Sequence, residues 1–240
     1  MSLSLFPSPS ISYDRARELL IQLLNQCQRK LTKADWRQAY ECLEAVQEDD
    51  VMDWVADTAL YSYRGQRRAI DRILTKLNTS DELAVRLKEG LSTACFSAFE
   101  IVGIDSDSRI LLKDLLDEGR ELTLVDHSLA RSGSVGLMFA ARLIDLGPWH
   151  MGLGIVLELS KSEAVALGLL LRKDDRDGLH ELIYHCELHG IDLVVALTLP
   201  VLEELCEQFD QSPQSAAQML QALRGQTGPQ GAWTLFEPEN

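Results

Sequence analysis

The sequence predicts an α+β protein whose central β-rich stretch is flanked on both sides by helices. Three observations carry that expectation. Between Phe96 and Leu159 five short apolar runs are separated by turn-forming residues. Before this stretch, apolar residues recur at spacings of three and four, the period of a helix with one buried face. After it, the helical spacing returns as far as Gly225. The expected organisation is a helical bundle over 1–95, an antiparallel β-module over 96–160, an acidic helical segment over 161–225 and a tail over 226–240. With 240 residues, 46% of them hydrophobic, the chain can bury a sizeable core.

In the first segment Ser12 is placed to cap a helix from about Tyr13 to Leu31, with Ala16, Leu19, Leu20, Leu23, Leu24, Cys27 and Leu31 on one face. Thr32 with Asp35 restarts the pattern, and Trp36, Ala39, Tyr40, Leu43 and Val46 form the next stripe. Asp49 or Asp50 is expected to cap a third helix that ends near Gly65, and a fourth is expected from Gln66 to Leu77. Thr79 to Glu82 reads as a capping box opening a fifth helix through Leu83, Leu87, Leu91 and Ala94. Short connections between successive helices imply antiparallel neighbours, as in a bundle.

The five apolar runs are Phe99–Ile104, Ile110–Leu115, Glu121–Asp126, Leu137–Ile144 and Trp149–Leu159. Asp105 to Ser108, Asp117 to Gly119, Arg131 to Ser134 and Gly147-Pro148 supply the breaks, because short polar side chains, Gly and Pro favour turns. Connections this short predict antiparallel pairing, since a parallel crossover needs a dozen or more residues. Five such strands in about 64 residues fit a small barrel or strongly curled sheet.

The order Ile110-Leu-Leu-Lys-Asp-Leu-Leu, Gly119, Val125-Asp-His-Ser-Leu-Ala-Arg-Ser and Ala140-Ala-Arg-Leu-Ile-Asp-Leu-Gly resembles a β-rich segment of uncharacterised bacterial proteins, some with a SEC-C metal-binding tail. The resemblance implies a bacterial, cytoplasmic protein and carries no activity. Those tails bind metal through closely spaced cysteines and a histidine. This chain has no Cys-x-Cys, so zinc does not carry over.

Downstream, Ser160 with Glu163 opens a helix, the charged run Arg172 to Asp177 interrupts it, and Leu179 to His189 forms another that ends at Gly190. Leu193 to Leu197 fits helix or strand. Thr198 and Pro200 are expected to start a helix over Val201 to Phe209, and Ser212-Pro213 one that ends at Gly225.

The net charge is −14 and uneven: 13 basic against 14 acidic residues over 1–95, 5 against 10 over 96–160, and 5 against 13 over 161–240. So acidic a chain repels nucleic acid and anionic membranes as a whole. Cys27, Cys42, Cys95, Cys186 and Cys206 are odd in number and scattered through apolar patterns, as reduced thiols are. The first ten residues have no basic leader of a signal or transit peptide, and no run approaches the ~20 apolar residues of a membrane span. A cytoplasmic protein is expected.

Among residues that could carry chemistry, Arg64, Arg68, Arg72 and Lys76 repeat every four residues and would form a basic stripe on the fourth helix, with Arg67 beside it. With Arg131 in its loop they are the candidate partner-binding residues, because guanidiniums offer paired donors to carboxylates and phosphates. Glu181, His185 and His189 lie one helical turn apart and are the candidate metal ligands, although one short helix needs a further ligand from elsewhere. Asp126-His127-Ser128 is not expected to be a nucleophile site: adjacent strand residues face opposite ways, and no Gly-x-Ser-x-Gly elbow is present. Gly152-Leu-Gly154 lacks the rest of a dinucleotide fingerprint and reads as a strand bend. No cofactor is expected. These features favour a non-enzymatic binding or regulatory protein whose arginines meet an acidic protein surface. Nucleic-acid binding by the same stripe, and a metal-dependent enzyme at Glu181, His185 and His189, are the alternatives.

Overall fold

The computed structural model describes residues 11–46, 51–105, 108–171 and 173–208. The helix expected over 212–225, the tail and the Asp49-Asp50 cap lie outside them. Helices α1 (Tyr13–Arg29), α2 (Lys33–Leu43) and α3 (Met52–Tyr61) follow the apolar stripes. Ser12 does not cap α1 with its side chain, whereas Thr32 and Asp35 form the expected capping box on α2. The expected helix over 66–77 is replaced by a two-strand hairpin, β1 (Tyr63–Arg64) and β2 (Arg67–Arg68), followed by a short α4 (Ala69–Leu74). Gly65, at φ +62°, makes the hairpin turn that no helix continues through. The fifth expected helix is α5 (Glu82–Ser92), capped by Asp81 alone through the Ala84 N–H.

Strands β3 (Cys95–Ile104), β4 (Arg109–Asp114), β5 (Glu121–Val125), β6 (Met138–Asp145) and β7 (His150–Leu159) fall on the five apolar runs. Between β5 and β6 the chain forms α6 (His127–Ser132), where a loop was expected; Asp126 caps it by accepting the Ser128 and Leu129 N–H groups. The strand pairings run in the order β3-β4-β5-β7-β6, with β6 returning to β3. The sheet is mixed, not purely antiparallel as expected: β5 and β7 are parallel and meet through the single pair Leu124 and His150. One pair does not make a fully hydrogen-bonded seam, so the element is a curled sheet whose edges touch rather than an evenly closed barrel. The short-connection rule failed because β5 and β7 are joined through β6 and not directly. Gly154, at φ +114°, sits where the β6–β7 register shifts between Ala141 and Leu143, a bend that a side chain would strain.

C-terminal to the sheet come α7 (Lys161–Leu170), closed by the expected Ser160–Glu163 capping box, a 3-10 turn (Lys173–Gly178), α8 (Leu179–His189) and α9 (Leu193–Gln208). Pro200 lies inside α9 instead of starting a new helix.

Three apolar clusters fill the structure. One, including Phe99, Ile101, Leu112, Leu124 and Phe139, lies within the curl of the sheet. A second joins Leu20, Leu60, Ile73 and Leu87 to Ile144 and Met151 of the sheet. A third joins Leu43 and Val55 to Phe96, Ala140, Leu179 and Ile183. The self-contained N-terminal bundle is therefore not seen: its helices complete both outer clusters with sheet residues. Gly90 permits this, since a Cβ there would sit 3.1 Å from the Asp145 carbonyl and 3.2 Å from the Ile144 Cβ. No single helix among the described residues is long and apolar enough to cross a membrane.

Candidate functional site

Strand β6 is buried on both faces: Phe139, Ala141 and Leu143 join the cluster within the curl, while Ala140, Arg142 and Ile144 turn towards the helices. The alternation of a strand thus directs Arg142 into an apolar layer, where a charge is tolerated only when paired. Asp57 of α3 meets it. Arg142 donates from Nε to Asp57 Oδ1 at 3.0 Å and from Nη2 to Oδ2 at 2.9 Å, and Tyr184 of α8 donates its hydroxyl to Oδ2 at 3.1 Å. The Arg142 guanidinium carbon lies 3.9 Å from the Tyr61 ring centroid and 5.4 Å from that of Phe96. Burial alone would lower the arginine's pKa, but Asp57 outweighs it and the pKa is raised. Burial, then Asp57, pushes the Tyr184 hydroxyl well above its ordinary value. One polar knot therefore ties α3, β6 and α8, elements from all three expected segments.

Beside the knot, His180 is 1% exposed, with Nε2 3.3 Å from Ser62 Oγ and Nδ1 without a hydrogen bond of good geometry among the described residues. Burial, reinforced by the Arg142 charge, pushes its pKa down to about 3. The ring is neutral in the folded protein, and its isolation from solvent gives it no route for proton transfer.

A cavity of about 530 Å³ opens at the adjoining end of the curled sheet. The ends of the strands contribute Ser97, Phe99, Asp114, Leu122 and Leu143, and the helical side contributes Tyr61, Arg68 and Arg142. Asp114, 3% exposed, accepts through Oδ1 from Ser97 Oγ at 2.7 Å and the Leu116 N–H at 3.0 Å. Arg120 and Arg176 stand among the other lining groups. Cys95 lines the wall, its thiol pKa raised by burial and by Asp114. A second concavity of about 550 Å³, between Arg109, Leu111, Thr123 and Trp149, has only exposed charged groups, Asp105 and Arg109, among its lining residues.

The arginine stripe does not form. Arg64 and Arg72 both pair with buried Asp35, at 3.0 and 2.8 Å, and Arg64 also bonds Gln38 and the Ala34 carbonyl. Arg68 pairs with Asp71 at 2.8 Å and turns into the cavity wall. Arg67 is exposed on the hairpin, Lys76 lies beyond α4, and Arg131 bonds the His127 carbonyl of its own helix, far along the chain from the others. The Thr32 hydrogen bonds and the two arginines overcome the effect of burial and hold the Asp35 carboxyl below the ordinary carboxylate range. Replacing Asp35 with Ala leaves the Thr32 side-chain cap on the residue-35 N–H but removes the carboxylate that accepts from Thr32 and pairs with Arg64 and Arg72; a loss of about 1 to 2 kcal/mol is expected in denaturant titration, mostly from the Thr32 hydrogen bonds, because the arginines are partly exposed.

The metal candidates do not converge either. His189 Nε2 lies 2.9 Å from the Leu43 carbonyl, and Glu181 lies beside Cys42, where burial and that carboxylate push the thiol up to about 12. His185 packs on His189 with ring centroids 4.5 Å apart. Among the described residues no three His, Cys, Asp or Glu side chains are arranged to hold a metal. The buried polar residues whose meeting sequence reasoning missed are Asp57, Arg142, Asp114 and His180. Their signal was a lone charge inside an apolar run, Val-Ala-Asp-Thr-Ala-Leu for Asp57 and Ala-Ala-Arg-Leu-Ile for Arg142, which together mark a buried pair.

No curated protein and no solved structure matches the chain. The resemblance to SEC-C-tailed bacterial proteins receives no support from these comparisons. A family model described as "Family of unknown function (DUF7986)" matches residues 10–170, which is more than half of the chain and includes α1 to α7, and the protein belongs to that family.

Proposed function

We propose that this is a cytoplasmic binding protein whose recognition element is the cavity at the end of the curled sheet, and that it takes a small polar molecule there. The observation that supports the reading is a concavity of ligand size that has buried charged groups, Arg142 and Asp114, in its wall. The Asp57–Arg142–Tyr184 knot fixes one side of that wall before any ligand arrives, so binding there orders little. Arg64, Arg68 and Arg72 of the expected stripe are engaged within the fold, which shifts weight away from a protein or nucleic-acid surface built on them. A protein partner remains the second reading, on one observation: Val165 and Leu169, one turn apart on α7, are 51% and 78% exposed.

Cys95→Trp tests the cavity, because the cysteine lines it and its thiol makes only a long contact to its neighbour's carbonyl. Small molecules extracted from the purified parent and variant are compared by mass spectrometry, with matching thermal melts as the folding control. A compound present at near stoichiometry in the parent and absent from the variant is the expected result. Identical extracts from two folded proteins would remove the cavity reading.

A further inference from the structure

The cavity wall holds one buried group of each charge, and each is incompletely used. Arg142, 5% exposed, directs Nε and Nη2 at Asp57, while Nη1 makes no hydrogen bond among the described residues. Asp114 accepts both of its hydrogen bonds on Oδ1, and Oδ2 accepts none among the described residues. The buried side-chain polar atoms that are shut off from solvent without a partner are Thr58 Oγ1, His180 Nδ1 and His185 Nδ1. Arg142 Nη1 and Asp114 Oδ2 are not of that kind, and both residues line the cavity. Arg68 adds a second donor: its Nε and Nη2 bond Asp71, Nη2 also bonds the Ser92 carbonyl, and Nη1 bonds nothing among the described residues. Its guanidinium carbon lies 5.9 Å from the Tyr61 ring centroid, against 3.9 Å for that of Arg142, so one aromatic ring gathers both guanidiniums.

The charge of the lining narrows the ligand. Four arginines and four aspartates line the cavity. A simple anion would use the guanidinium donors and leave the Asp114 carboxylate facing it and repelling it. A simple cation would leave Arg142 Nη1 in the corresponding position. Only a neutral molecule carrying both charges answers both ends, and the cost of an unanswered buried charge makes that choice selective. Phe99, Leu122 and Leu143 offer an apolar surface to the rest of such a molecule.

We infer that the cavity binds a free amino acid, α- or ω-, as its zwitterion: the carboxylate on Nη1 of Arg142 and Arg68, the ammonium on Oδ2 of Asp114. The inference rests on the cavity being the binding site. It is tested by isothermal titration of the full chain with the common L-α-amino acids, β-alanine, γ-aminobutyrate and 5-aminovalerate. Each compound that binds is followed by its N-acetyl and carboxamide derivatives, each of which lacks one charge. Asp114→Asn is the companion variant, since its Oδ1 still accepts from Ser97 and the Leu116 N–H while an amide nitrogen replaces Oδ2.

At least one amino acid is expected to bind the parent with Kd below about 1 mM, and removal of either charge or the Asp114→Asn change is expected to weaken it about tenfold or more. Absence of binding across the panel overturns the inference, as does a ligand that binds parent and Asp114→Asn equally. If the panel fails while Cys95→Trp still removes a co-purified compound, the ligand class is wrong and the cavity stands. An amino acid that binds parent and Cys95→Trp alike lies elsewhere and overturns the inference, while the cavity reading is decided separately by the extracts.

Discussion

Asp57→Ala is expected to destabilise the protein by about 3 to 5 kcal/mol, because it leaves the Arg142 charge uncompensated in the apolar layer between β6 and α3. Equilibrium unfolding in urea measures the loss. Arg142→Ala should cost a similar amount, since Asp57 would retain only the Tyr184 hydroxyl as a donor. The Asp57→Leu/Arg142→Met double variant should be markedly more stable than either single variant, because no charge is then left unpaired. Lys is no substitute for Arg142: two of the arginine's nitrogens reach Asp57 while its guanidinium carbon lies over the Tyr61 ring, an arrangement an ammonium cannot reproduce. A double variant no more stable than the singles would mean that the knot does not hold the layers together.

The second large effect is on acid stability. The pKa of His180 is about 3 in the fold against an ordinary 6.5. Between those values the unfolded chain binds a proton that the folded chain does not, so lowering the pH favours unfolding. The neutral ring adds no pH dependence above about 6.5, and stability falls as the pH drops from there towards 3. The expected loss is on the order of 2 to 3 kcal/mol between pH 6.5 and 4.5. Urea unfolding of parent and His180→Phe across this range isolates the effect from carboxylates common to both. The difference between the two proteins should change with pH in that window; a constant difference would place His180 in contact with water.

The strands were legible in the sequence to within a residue except at the start of β3, four residues before the expected Phe99, because Gly147-Pro148 and the Asp-Ser clusters punctuate runs that are too short for helices. The capping boxes Thr32–Asp35 and Ser160–Glu163 were legible for a local reason: both partners lie within three residues of each other. Two kinds of feature were not. Arginines at a spacing of four look like a helix face, but Gly65 turned the first pair into a hairpin and buried Asp35, nearly thirty residues away, drew in Arg64. Asp114 looked like a residue at the end of a strand, and only the pairing of β4 with β3 brings Ser97 close enough to bond it. The candidate site consists of such long-range meetings, which periodicity does not encode.

The β5–β7 seam, with the single ladder pair Leu124 and His150 and one contact from the His150 ring to the Thr123 carbonyl, makes the curl of the sheet a clasp rather than a hoop. Parting it gives up far fewer ladder bonds than parting β3 from β4 or β6 from β7, each of which is paired along most of its length. Leu122 and His150, on the two sides of the seam, both line the cavity. Parting the seam would therefore widen the cavity while every hairpin stays intact.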